Sequence, residues 1–155
     1  MTRSTRSRQT PGRTHRRGQA LVEFAMVAPI FFIVLFAIIE GGRFVFVYET
    51  LNNATREGAR YAIVNGANSL GCPTGPPAPG TTACDPTGED VKQEVRAAAF
   101  GAIGGTVTVS PTWAPDNGRG STVTVTATHT YRPLIPLVPL PDITVTAESS
   151  LVVNN

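Results

Sequence analysis

Gly18 and Glu23 carry the chemistry that residue type and spacing can support in this chain. Gly18 closes the run Arg13-Thr14-His15-Arg16-Arg17, and Glu23 follows five residues on, inside the start of a long apolar segment. A carboxylate in such a segment costs free energy unless something pairs with it. The spacing suggests a reason for tolerating it, namely proteolytic processing at the glycine followed by a charge that directs assembly. The Gly18–Gln19 bond is the candidate processing site. Glu23, with Phe24 beside it, is the candidate assembly determinant.

Cys72 and Cys84 bracket a Pro/Gly-rich stretch with no pattern of regular structure. An oxidising compartment would let them pair, with a gain of about 3 kcal/mol from closing so short a loop. Two free thiols are the alternative. A metal site would need more ligands than two thiols, and neither His15 nor His129 is near in sequence. His129 shares the apolar face of a predicted strand, where a histidine bonded to backbone is expected. We find no phosphate-cradling glycine motif, no metal-ligand signature and no nucleophile arrangement. The sequence makes no case for catalytic residues, a cofactor or an enzyme.

The elements that position Gly18 and Glu23 are legible from charge and hydropathy. Six arginines and no acid precede Gly18, whereas the rest of the chain is net acidic. Residues 1–18 hold no aliphatic side chain beyond Met1, and they read as a disordered basic leader. The leader lacks the interleaved aromatics of a nucleic-acid binder, so no nucleic-acid partner is expected. From Ala20 to Ile39 the run is apolar except for Glu23 and Pro29. At 1.5 Å per residue it spans roughly 30 Å, the thickness of a bilayer's hydrocarbon core. Arginines on its N-terminal side place that side in the cytoplasm. A Sec or twin-arginine signal fits less well, because such apolar regions run only ~7–15 residues before a small-residue cleavage site. Here Glu40-Gly41-Gly42-Arg43-Phe44 follows, and the helical pattern continues. A retained anchor is expected.

Beyond it, Val47, Leu51, Ala54, Gly58 and Ala62 recur at helical spacing. If unbroken from Ala20 to Asn65, that helix is about 70 Å long, with Pro29 kinking or locally opening its membrane half. The small residues Ala54, Gly58 and Ala62 would admit a neighbouring helix, but the expected cover is a sheet of the same chain. Thr87-Gly88-Glu89-Asp90 reads as a capping box opening a short helix with Val91, Val95, Ala98 and Ala102 on one face. Three segments then alternate apolar residues with threonines: Val107 to Trp113, Val123 to Tyr131, and Ile143 to Val153. They predict an antiparallel sheet with one solvated face, and Asp116-Asn117-Gly118 turns between the first two strands. The four prolines between Arg132 and Asp142 make that link extended. Its five aliphatic residues would need cover from a partner surface or from the sheet itself. The fold class is α+β. The divisions are a leader (1–18), a membrane helix (19–40), its exported continuation (41–66) and an exported α+β domain (67–155).

The block Gly18-Gln19-Ala20-Leu21-Val22-Glu23-Phe24, with Pro29, Glu40-Gly41-Gly42-Arg43 and Ala54-Thr55-Arg56-Glu57-Gly58-Ala59-Arg60, resembles the TadE-like family of tight-adherence (Flp, type IVb) pilus systems. Members are minor pseudopilins or pilus-assembly proteins. The resemblance covers residues 17–64, and the remainder is pilin-like only in outline. It implies cleavage between Gly18 and Gln19 by a membrane aspartic prepilin peptidase, which would make Glu23 the fifth residue of the mature chain. Partners implied are other pilin or pseudopilin subunits, the inner-membrane assembly platform and the lipid bilayer. Phe24 stands where major pilins commonly have tyrosine. A single-pass protein of the cytoplasmic membrane with an extracytoplasmic C-terminal domain is expected. An uncleaved envelope anchor bearing a binding domain and a secreted soluble protein are the alternatives.

Overall fold

The computed structural model describes residues 14–99, 103, 105–134 and 142–154. Helix α1 (Thr14–Val64) is followed by α2 (Glu89–Ala99) and strands β1 (Val107–Ala114), β2 (Thr122–Tyr131) and β3 (Ile143–Val152). The α+β class and the order of elements are as expected. Most of the leader (1–13), Ala102 and the proline link from residue 135 to residue 141 lie outside the described residues. The helix takes in Thr14 to Gly18 from the segment read as leader, and it runs through Pro29 to Val64. Two compact units meet in the chain at Ile39 and Glu40.

In the first unit the large apolar side chains of α1, from Leu21 to Ile39, are exposed. The helix is long and apolar enough to cross a membrane.

In the second unit, Val47, Leu51, Ala54, Ala59 and Ala62 are buried, joining Val91, Val95 and Ala99 of α2 and the inner sheet residues in one core. The small-residue stripe therefore receives cover from its own chain. At Gly58 a methyl group would overlap the Val95 side chain and touch Val125 and Val91, so the glycine lets α1 approach both α2 and β2. Thr55, fully buried in the same stripe, bonds its hydroxyl back to the Asn52 carbonyl at 2.9 Å.

The start of α2 corrects the expected capping box. Asp85, not Thr87, is the cap: its two carboxylate oxygens accept the backbone N–H groups of Glu89 and Asp90, each at 2.9 Å. Thr87 instead donates its hydroxyl to Asp85 at 3.3 Å. A carboxylate reaching two of the orphan donors of a helix's first turn suits that helix's positive end better than one hydroxyl. The buried face of α2 is Val91, Val95 and Ala99, while Ala98 is exposed.

The sheet is an antiparallel meander in the order β1-β2-β3. Register pairs Val109 with Ala127 and Ala127 with Ala147, which puts the alternating apolar residues on one face. Val123, Val125, Ala127, His129 and Tyr131 are all buried, and the threonines between them are not. Strand β3 obeys the alternation only in its middle and just past its end, where Val145, Ala147 and Val153 are buried. Ile143 and Leu151 stay more than a third exposed, as suits an edge strand lacking a neighbour on one side.

The cysteine loop has no helix or strand beyond a single bridge between Thr74 and Asp85, yet it is firmly held. Cys72 and Cys84 form a disulfide with Cα atoms 5.5 Å apart. Asn117, fully buried in the β1–β2 turn, donates its amide to the Thr74 carbonyl at 3.0 Å and accepts the Ala78 N–H at 3.0 Å. Gly75 and Gly88, both with positive φ, lie against the Trp113 ring where a side chain would collide with it.

Candidate processing and assembly site

Gly18, Gln19, Glu23 and Phe24 occupy two turns of α1. Residues four apart share a helix face, and the Gln19 side-chain amide donates to the Glu23 carboxylate at 3.2 Å. Glu23 is exposed and Phe24 is 69% exposed, so neither is held by packing. A Cβ added at Gly18 would meet nothing within 4 Å. Glycine within a helix costs about 1 kcal/mol relative to alanine. Gly58 has a packing reason to bear that cost, whereas Gly18 has none in the described structure. The Gly18–Gln19 bond lies within α1, and the Glu23 carboxylate is exposed on its surface.

A second polar cluster opens the second unit and was missed in the sequence. Glu40 accepts from the hydroxyl of Tyr131, from Arg43 at 3.2 Å and from the backbone N–H of Leu134 at 3.3 Å. Arg43 also donates to the Arg132 carbonyl at 3.0 Å, and its guanidinium lies 4.9 Å from the centre of the Tyr131 ring. Phe44 meets the same ring edge-on at 5.3 Å. Burial raises the Tyr131 phenol above its ordinary value; Glu40's hydrogen bond and charge raise it further, against an opposing effect of Arg43. Glu40 and Arg43 are legible as an i,i+3 pair on one helix. Tyr131 carries the general signal that a buried phenol seeks a partner, without saying which.

Beside this cluster a cleft of about 370 Å³ is lined by Arg43, Ile103, Thr106, His129, Thr130 and Arg132. Nδ1 of His129 is 3.2 Å from the Thr106 carbonyl, an acceptor, so Nδ1 carries the proton there. That is the backbone-bonded histidine expected for its strand position. Among the described residues no three His, Cys, Asp or Glu side chains are grouped to hold a metal ion.

The geometry defines a class: an apolar N-terminal helix long enough to span a membrane, continuing into a disulfide-closed α+β domain. Residues 18–60 match the family described as TadE-like protein, the segment carrying Gly18, Glu23 and the Ala54–Arg60 block. That family associates the N-terminal helix with tight-adherence pili, whose TadE-like members are assembly proteins rather than known enzymes. No curated protein and no solved structure matches the chain.

Proposed function

We propose that the protein is a minor pseudopilin or pilus-assembly protein of a tight-adherence pilus, anchored by α1 with its N-terminus in the cytoplasm. A prepilin peptidase cuts the Gly18–Gln19 bond and removes all six leader arginines. The new amine on Gln19 and the Glu23 carboxylate then form a charge pair between neighbouring subunits. The domain from Glu40 onward lies outside the cytoplasmic membrane, where Cys72 and Cys84 are oxidised, and it meets pilin subunits and the assembly platform there.

The observation that carries this reading is the match of residues 18–60 to TadE-like protein, which begins at Gly18. Packing among the described residues does not call for a glycine there, as it does at Gly58. Glu23 adds to it. A carboxylate at the centre of a membrane helix costs about 2.5–3.5 kcal/mol on insertion scales; Glu23, near the start of the apolar run, bears less than that, and the Gln19 amide offsets part of it. A subunit-to-subunit pair supplies the remainder.

The test is Glu23→Ala in a piliated strain. The account expects normal membrane insertion with loss of pilus assembly. Normal piliation in that variant would remove Glu23 from the mechanism.

A further inference from the structure

We propose that the Glu40 end of the exported domain is a lipid-contacting surface, with Val45, Phe46 and Leu134 resting in the headgroup layer of the bilayer that α1 crosses. The inference rests on the reading of α1 as a membrane anchor.

Position follows from chain continuity. The apolar run ends at Ile39, so Glu40 stands where the helix leaves the hydrocarbon. The backbone N–H of Leu134 is bonded to the Glu40 carboxylate at 3.3 Å, which holds Leu134 beside the residue that follows the apolar run. Leu134 is nonetheless 69% exposed. On α1 itself, Val45 and Phe46 are 57% and 54% exposed, turned away from the core stripe of Val47 and Leu51. At 1.5 Å per residue they lie about 8 and 9 Å past Glu40. The headgroup layer on each side of a bilayer is roughly 5–8 Å deep. Helical side chains lean toward the N-terminus, so these rings and branches reach back over the preceding turn, toward that layer. Aromatic side chains at this depth are typical interfacial anchors.

Charge at this end suits contact with a neutral lipid surface. Arg43 is paired with Glu40 at 3.2 Å and Arg132 with Asp142 at 3.6 Å, so the two cations are balanced within the domain. The attraction is therefore apolar and does not depend on anionic lipid. A protein partner on the same patch is the competing occupant, and lipid quenching separates the two.

Both native cysteines are in the disulfide, so a cysteine introduced into the full chain is the sole labelling site. The full-length protein would carry an environment-sensitive fluorophore at Leu134→Cys or Phe46→Cys, reconstituted in phosphatidylcholine nanodiscs with nitroxide lipids. Ser150→Cys is the domain control: it lies opposite Thr124, seven residues along β2 from Tyr131, or about 23 Å. Ile33→Cys reports the anchor. The expected result is loss of emission at Leu134 and Phe46 with nitroxide near the headgroup, no loss at Ser150, and loss at Ile33 with nitroxide deep in the acyl chains. Quenching at Ile33 without quenching at Leu134 and Phe46 overturns the surface and leaves the anchor intact. The same holds if a label there is shielded from water yet untouched by lipid nitroxide. No quenching at Ile33 overturns the anchor on which the inference rests.

Discussion

The Tyr131 phenol, at the end of β2, donates its hydrogen to the carboxylate of Glu40, 91 positions earlier and the first residue of the second unit. The contact ties the sheet to α1 at the point where the apolar run ends. Phe44 and Arg43 close on the same ring, one by its edge and one by its charge. The pair has a consequence in pH as well as in stability.

Tyr131→Phe removes the hydroxyl and leaves Glu40 to Arg43 and the Leu134 N–H. A hydrogen bond to a charged group contributes about 1.5–3 kcal/mol, and a loss at the lower end is expected because Glu40 is partly exposed and keeps its other donors. The phenols of Tyr131 and Tyr61 are both raised, each through burial first. Glu40 adds to the shift at Tyr131, and Asp90, Glu94 and Asp85 add to it at Tyr61. A folded value above the unfolded one means the folded state keeps the proton better. The stabilisation is fully present below the unfolded value near pH 10 and is lost as pH rises through the folded values. Thermal melts of the detergent-solubilised chain should hold level up to about pH 10 and fall above it. Tyr131→Phe should flatten part of that fall and leave the share due to Tyr61. An unchanged alkaline limb would contradict the assignment.

Gly58→Ala places a methyl group against Val95 and is expected to destabilise the domain by about 1–3 kcal/mol, despite alanine's better helix propensity. Gly41→Ala meets nothing within 4 Å and should be neutral or stabilising by up to about 1 kcal/mol. Denaturant midpoints of the two variants should move in opposite directions or differ clearly in size.

Asp85→Ala takes the acceptors from two N–H groups at the start of α2, an expected loss of about 1–2 kcal/mol. Thr87→Ala should stay within about 0.5 kcal/mol of the parent. The reverse order in circular-dichroism melts would restore Thr87 as the cap.

Reduction of Cys72–Cys84, or the pair Cys72→Ser and Cys84→Ser, should lower stability by about 3 kcal/mol, as for a short closed loop. Trp113 is the chain's single tryptophan and packs on Gly75 inside that loop, so its emission should report the opening. Unchanged emission and melting on reduction would mean that the Asn117 bonds hold the loop without the disulfide.

Period carried most of what the sequence disclosed about this fold. Two-residue alternation marked all three strands, because one sheet face is buried and a slip of one residue would turn every side chain over. The stripe from Val47 to Ala62 was legible for the same reason in a helix, and its cover by the chain's own elements agrees with the structure. Where the reading missed, the cause was geometry that local pattern does not encode. The Asp85 cap depends on how the backbone turns through Pro86 and Gly88. In α2 Val91 and Val95 are buried as expected, but the next buried position is Ala99, not Ala98. Ile143 and Leu151 fit the alternation of β3, but their exposure follows from its place at the sheet edge. The Tyr131–Glu40 contact joins residues too distant in sequence for any period to relate them. The candidate roles of Gly18 and Glu23 rest by contrast on local spacing, which the sequence carries without the fold.

The central claim, processing at Gly18–Gln19, is tested most directly by the intact mass of the protein from membrane fractions with and without the prepilin peptidase. The account predicts a mature chain beginning at Gln19 when the peptidase is present, and an unprocessed chain retaining the arginine leader when it is absent. A chain that keeps Met1 or Thr2 in both would contradict processing, and a start beyond residue 40 would contradict the anchor as well.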